Sequence, residues 1–174
     1  MRGGYDGVSR IEGVSVETVQ KEPKVVSGYE NIVLNPVRMR PEFATDYPEM
    51  ASQFQVSMLA SLRDKKGYKR VEDAEYLNGD QPKERTIIVD VKVIDMRIVS
   101  TGARIWAGAM AGSSYIDLYL KLTDAANRKV IHEKVIATSN NAFASAWALG
   151  SEKSLPMDMG KIIGEYVYTV APVN

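Results

Sequence analysis

The 174 residues predict an α+β fold, a mixed, mostly antiparallel sheet of about five strands with two amphipathic helices packed on one face. Three observations carry the expectation. Between Arg85 and Thr138, three stretches alternate apolar and polar residues at the two-residue period of half-buried strands. On either side of them, Ala51–Leu62 and Met159–Val170 place apolar residues three and four apart, the spacing of one helix face. Upstream, a strand, the first helix and a short strand follow one another, which predicts a β-α-β unit ahead of a three-stranded meander.

Met1 to Lys24 holds four glycines, scattered charges and only a weak alternation. It is expected to be a flexible arm or linker, with residues 25–174 forming a single α+β domain. An edge strand through Val14, Val16 and Thr18, and an arm reaching a neighbouring subunit, are the alternatives. Tyr29–Met39 is the first strand, apolar on consecutive residues at Ile32-Val33-Leu34, with Pro36 marking an edge or bulge because it lacks a backbone donor. Pro41 then begins a turn. Asp46-Tyr47-Pro48-Glu49 reads as an N-cap with proline in the first turn and an acid at the third position. Ala51, Phe54, Gln55, Met58, Leu59 and Leu62 form the stripe that follows, and Gly67 is expected as the left-handed cap.

Tyr68–Val71 predicts a short strand parallel to the first, and Glu72–Glu84 a solvated loop. In Thr86–Val99, Ile87, Val89, Val91 and Val93 share a face, after which the apolar set shifts to Ile94, Met96 and Ile98. A two-residue period cannot change face without an extra residue, so a β-bulge is expected near Val93-Ile94. Ile116, Leu118, Leu120 and Leu122 alternate in the next strand, Asp124–Asn127 turns, and Lys129–Thr138 returns. Ala142–Leu155 fits either a short helix or a loop. Pro156 opens the last helix, on the stripe Met159, Ile162, Ile163, Tyr166, Val167 and Val170, and Pro172 stops it.

Lys+Arg and Asp+Glu balance at 22 each. This argues against a general nucleic-acid binder, which needs many phosphate-neutralising cations, and gives no electrostatic reason to sit on an anionic membrane. Lys65-Lys66-Gly67-Tyr68-Lys69-Arg70 is the only dense basic run. The absence of cysteine excludes a thiol nucleophile, a thiolate metal site and a disulfide framework, and suits the cytosol or the periplasm equally. No apolar run approaches the roughly 20 residues of a membrane helix, so no transmembrane segment is expected. Met1–Gly7 lacks the apolar stretch of a signal peptide, and its glycines equally fit a boundary placed after a removed targeting segment.

No catalytic, cofactor or metal motif is found. His132, the lone histidine, lies mid-strand between Ile131 and Glu133, where a satisfied or solvent-facing side chain is the ordinary outcome. A hydrolase pairing it with Asp or Glu would need an orienting partner and a cleft. The segment Gly102–Gly112 matches neither a phosphate-binding loop nor the dinucleotide fingerprint. Its glycine, alanine and Met110 surround Ile105 and Trp106 with almost no charge. One reading is a hairpin excursion tucked over the sheet edge or a helix. The other is a contact surface, with Arg104, Ile105, Trp106, Gly108, Met110 and Gly112 as interaction residues beside Phe143 and Trp147.

Arg104, then Gly108-Ala109-Met110-Ala111-Gly112-Ser113-Ser114, the strand Tyr115–Leu122, the Thr123-Asp124 turn and a return strand together resemble a family of bacterial lipoproteins, domain of unknown function four-four-one-zero. The likeness runs from about Val25 to the last helix. It implies an envelope protein, periplasmic or on the inner face of the outer membrane, often lipid-anchored and without enzymatic activity. The chain departs from the pattern at Asn127-Arg128, where threonine-glycine is usual, and in lacking a lipidation cysteine. Together these readings predict a non-enzymatic protein that binds an envelope partner or itself through the glycine/alanine/methionine-rich segment, with no nucleic acid and no cofactor. The alternative is a small-molecule or lipid carrier with a pocket between sheet and helix.

Overall fold

The structure, a computed structural model, describes residues 5, 7–77, 79, 81–97, 115–138 and 155–174. The α+β class holds, with one mixed sheet of seven strands rather than about five. The strands are β1 (Arg10–Ile11), β2 (Asn31–Leu34), β3 (Arg38–Met39), β4 (Arg70–Asp73), β5 (Thr86–Arg97), β6 (Tyr115–Asp124) and β7 (Val130–Ala137). They lie in the order β1-β7-β6-β5-β2-β4, with β3 also on β5. The long pairings, β5 with β6 and β6 with β7, are antiparallel, and the four shorter ones are parallel. The helices among the described residues are α1 (Val16–Val19), α2 (Pro41–Asp46), α3 (Met50–Asp64) and α4 (Leu155–Val170).

The central strands follow the alternation closely. Ile87, Val89, Val91 and Val93 on β5 and Ile116, Leu118, Leu120 and Leu122 on β6 are buried in one core with Ile32, Leu34 and Ile136. The register of β5 on β6 shifts between Val93 and Asp95, where the change of phase predicts the bulge. The whole expected stripe of α4 is buried against this face. On α3, Phe54, Gln55, Met58 and Leu62 are buried, while Ala51 and Leu59 pack at the margin. α3 runs parallel to α4, because Ser57 contacts Met157 and Ser61 contacts Lys161.

The expected strand Tyr29–Met39 is one lane broken in two. β2 pairs with β5 at an offset of 55 residues (Asn31 with Thr86), and β3 at 54 (Arg38 with Lys92), so one extra residue is absorbed at Asn35-Pro36-Val37. Gln55 bridges the break: its Oε1 accepts from the Val37 amide at 2.9 Å and its Nε2 donates to the Asn35 carbonyl at 3.2 Å. This explains a buried glutamine on an apolar stripe, since the bulge exposes backbone groups that need partners.

Five expectations are corrected. Pro41 opens α2 instead of a turn, because its missing donor costs nothing at a first helical position. Asp46 therefore ends that helix, and α3 starts after Glu49 without a side-chain cap. Lys66, at φ 56°, takes the left-handed position assigned to Gly67. Gly67 instead answers a close approach, since a Cβ there would meet the Tyr168 ring at 2.9 Å. β4 runs to Asp73 and a 3₁₀ turn at Ala74–Tyr76 follows, capped by the Asp73 side chain on the Glu75 amide, where a loop is expected.

The fifth correction concerns the arm. Arg10–Ile11 pairs in parallel with β7, and Val14 and Val19 are fully buried in the common core. Ser15 caps α1 in a reciprocal box with Thr18. The Val25 and Val26 amides donate to the Val170 carbonyl at the end of α4. Residues 10–19 are thus part of the fold and not a linker. The edge strand comes earlier than the Val14–Thr18 alternation suggests, because backbone pairing of two residues needs no apolar pattern.

Candidate functional site

The expected interaction residues, Arg104, Ile105, Trp106, Gly108, Met110, Gly112, Phe143 and Trp147, lie outside the described residues, as does the Ala142–Ser154 part of the helix-or-loop stretch. The described residues that flank them converge. Arg97 pairs with Tyr115, and Asp117 with Ala137, so both intervening segments join the sheet on neighbouring strands at one rim. α4 also starts at this rim, because it runs parallel to α3, whose own N-terminus follows β3.

Charged and hydroxyl side chains brace the rim. The Arg10 guanidinium donates to the Asp117 carboxylate at 3.1 Å and to Glu12 at 2.7 Å, which fastens β1 to β6. Asp117 is nearly buried, and among the described residues its Oδ1 has no donor. Burial pushes this carboxyl above its ordinary range, against the pull of Arg10, and the nearby Asp95 and Glu12 push the same way. The Tyr115 hydroxyl donates to Asp95 at 3.3 Å. The Thr138 hydroxyl accepts from the Ile116 amide at 2.8 Å and donates to its carbonyl at 3.2 Å, closing the sheet where β7 ends. Arg40 donates to the Ile94 carbonyl beside the bulge.

His132 sits far from this rim. It lies opposite Leu122, five positions along β6 from Asp117, which is about 17 Å of strand at 3.4 Å per residue. Its Nε2 shares a hydrogen bond with the Tyr166 hydroxyl at 2.7 Å, and the rings stack. Burial and the Lys134 charge hold the imidazole below its usual range, with Glu22 and Glu133 opposing. Tyr166 is a buried core residue, so the pair presents no nucleophile or open cleft. The expectation of a satisfied strand histidine holds. Among the described residues no group of His, Asp and Glu could hold a metal ion. No described helix is long and apolar enough to cross a membrane.

The Arg10–Asp117 brace has no signature in the sequence, since its two partners lie on strands paired only through β7. The buried Asp117 stands at a position whose alternation reads as solvent-facing.

Solved structures share this fold at low identity. A PelC dodecamer from Paraburkholderia phytofirmans matches at TM-score 0.56 and 12% identity, covering 86% of this chain and 95% of that one. Protein XCC0632 from Xanthomonas campestris, of family DUF330, matches at TM-score 0.51 and 10% identity, covering 92% and 94%. No curated protein matches the chain. A family model described as "Domain of unknown function (DUF4410)" matches residues 15–152, and it is the family that the Gly108–Ser114 run and the strands after it resemble. The chain is a member of the DUF4410 family.

Proposed function

We propose that the protein is a non-enzymatic component of the bacterial cell envelope that works by association, assembling with copies of itself through the rim where residues 98–114 and 139–154 join the sheet. One observation carries the reading. These two segments contain both tryptophans of the chain and only Arg104, Glu152 and Lys153 as charges, although a quarter of all residues are charged. Apolar, aromatic-bearing sequence that joins the sheet at one rim has the composition of an interface core. Arg104, Ile105, Trp106, Gly108, Met110 and Gly112, with Phe143 and Trp147, are its proposed contacts. The dodecameric state of PelC, which shares the fold, supports self-association. The envelope location rests on the resemblance to bacterial lipoproteins, and the non-enzymatic reading on the closed His132–Tyr166 pair.

The carrier alternative is not favoured. Among the described residues the space between sheet and helices is filled by Phe54, Met58, Leu62, Ile163 and Tyr166, all almost without exposure. The test is light scattering on the wild type and on Trp106→Ser/Met110→Ser, with capture of envelope proteins in parallel. The double variant is expected to lose assembly or capture while keeping its far-UV circular dichroism. Unchanged assembly and unchanged capture would refute the assignment of the surface.

A further inference from the structure

The opposite end of the sheet collects cations. There the parallel strands β2, β4 and β5 begin side by side, with Asn31 in register with Arg70 on one side and Thr86 on the other. Glu30, Asn31, Lys69, Arg70, Lys83 and Arg85 line an open cleft of about 650 Å³ at these strand starts. Its four cations face two carboxylates, Glu30 and Glu84. Glu30 engages Arg85 at 3.3 Å. Among the described residues, the side chains of Lys69, Arg70 and Lys83 have no ion-pair partner. Lys65, in the same basic run, is taken up by Glu165.

The frame that carries these charges is fixed by backbone bonds. The Glu30 and Asn31 amides both donate to the Arg85 carbonyl, at 2.8 and 3.0 Å, and the Lys69 amide donates to the Glu30 carbonyl at 2.7 Å. Asn31, nine-tenths buried, donates through Nδ2 to the Glu84 carbonyl at 3.3 Å and to Thr86 Oγ1 at 3.2 Å. Arg85 holds φ 49°, a left-handed conformation that an arginine adopts only where its surroundings impose it. Three strand starts thus bring four cations and two carboxylates to one cleft, an excess of positive charge that a multiply charged anion would balance.

We propose that this cleft binds a multiply charged, phosphate-bearing anion. A lone carboxylate would answer one cation, whereas phosphate oxygens accept from several donors at once and suit the guanidinium forks of Arg70 and Arg85. The source is either a soluble phosphate compound or the headgroup of an anionic lipid, and the two separate experimentally. The test titrates the ¹⁵N-labelled protein with pyrophosphate at physiological salt, and in parallel sediments it with vesicles of phosphatidylglycerol or of phosphatidylcholine. Arg70→Gln/Lys83→Gln serves as the control, since both side chains are exposed and their removal leaves the core untouched.

The expected result is a saturable shift of the Lys69–Arg70 and Lys83–Thr86 amides, with affinity falling about tenfold in the double variant as two charge-assisted contacts are lost. Shifts with pyrophosphate but no vesicle binding assign a soluble ligand. Selective pelleting with phosphatidylglycerol, lost in the double variant, assigns a lipid headgroup. No saturable response in either arm, or a response that the double variant retains in full, overturns the proposal.

Discussion

Gly160→Ala sets two effects of known size against each other. Alanine in place of a mid-helix glycine should stabilise α4 by about 1 kcal/mol through propensity alone. The seam between α3 and α4 opposes it. A Cβ at Gly160 would stand 2.6 Å from Ser57 Cβ and 2.7 Å from the Phe54 carbonyl oxygen. Neither atom can rotate away, so the helices must separate, and overpacking of this kind costs about 1–3 kcal/mol. Because both obstructions lie well below contact distance, the upper part of that range applies, and the net loss is about 1–2 kcal/mol. In a chain of this length that lowers Tm by about 2–8 °C. Gly164 offers the comparison, since its obstruction is the Ser61 side chain alone, with Oγ at 2.5 Å and Cβ at 2.7 Å. Gly164→Ala/Ser61→Gly should therefore return close to wild-type stability. Gly160→Ala/Ser57→Gly should recover only in part, because the Phe54 carbonyl remains. Urea unfolding followed by circular dichroism reads all three variants. A Gly160→Ala protein as stable as the wild type, or more so, would refute the close seam.

Three further outcomes follow from single contacts. The Tyr29 hydroxyl donates to Asp124 at 2.7 Å, which with burial pushes the phenol up to about 12 and holds the carboxyl below its usual range. Tyr29→Phe should cost about 1–2 kcal/mol near neutral pH, and the difference should shrink as pH falls through the depressed Asp124 value and the carboxylate is lost. His132 titrates below 6.5, so its contribution is full above that pH and is lost as pH falls through the lowered folded value. Its ring protons should report this by NMR, Lys134→Met should move the midpoint up, and a midpoint above 6.5 would contradict the burial argument. Arg10→Met strips the nearly buried Asp117 of its cation and should cost about 2 kcal/mol at neutral pH. Because the Asp117 carboxyl is raised in the fold, stability of that variant should recover toward acid pH, where the protonated group no longer needs a partner. A loss that does not vary with pH would mean the brace is not electrostatic.

The central sheet and the last helix were legible in the sequence because each element carries its own period. The bulge could be placed to a residue pair, since the shift from Val93 to Met96 has no other regular solution. What escaped depends on contacts between distant segments. Arg10–Ile11 is a strand only because β7 offers an edge, and two residues hold no pattern. Asp46 carries a good capping signal, yet Pro41 five residues earlier claims a helix of its own and leaves Asp46 at its end. Gly67 stands out in the sequence, but its reason is the Tyr168 ring from a helix a hundred residues away and not its own torsion. The basic cleft shows the same division. Lys69 and Arg70 stand out in the sequence, whereas Lys83 and Arg85 join them only through the parallel register of β2, β4 and β5. The proposed assembly surface was legible as composition alone, as two segments holding both tryptophans and only three charged residues.

Sedimentation velocity of the wild-type protein over a series of micromolar concentrations addresses association most directly. Mass action requires a homo-oligomer to grow at the expense of monomer as concentration rises. Self-assembly through the rim predicts a discrete species larger than the monomer, converted to monomer by Trp106→Ser/Met110→Ser and left in place by Arg70→Gln/Lys83→Gln at the far end of the sheet. A wild-type protein that sediments as monomer throughout the series would contradict it.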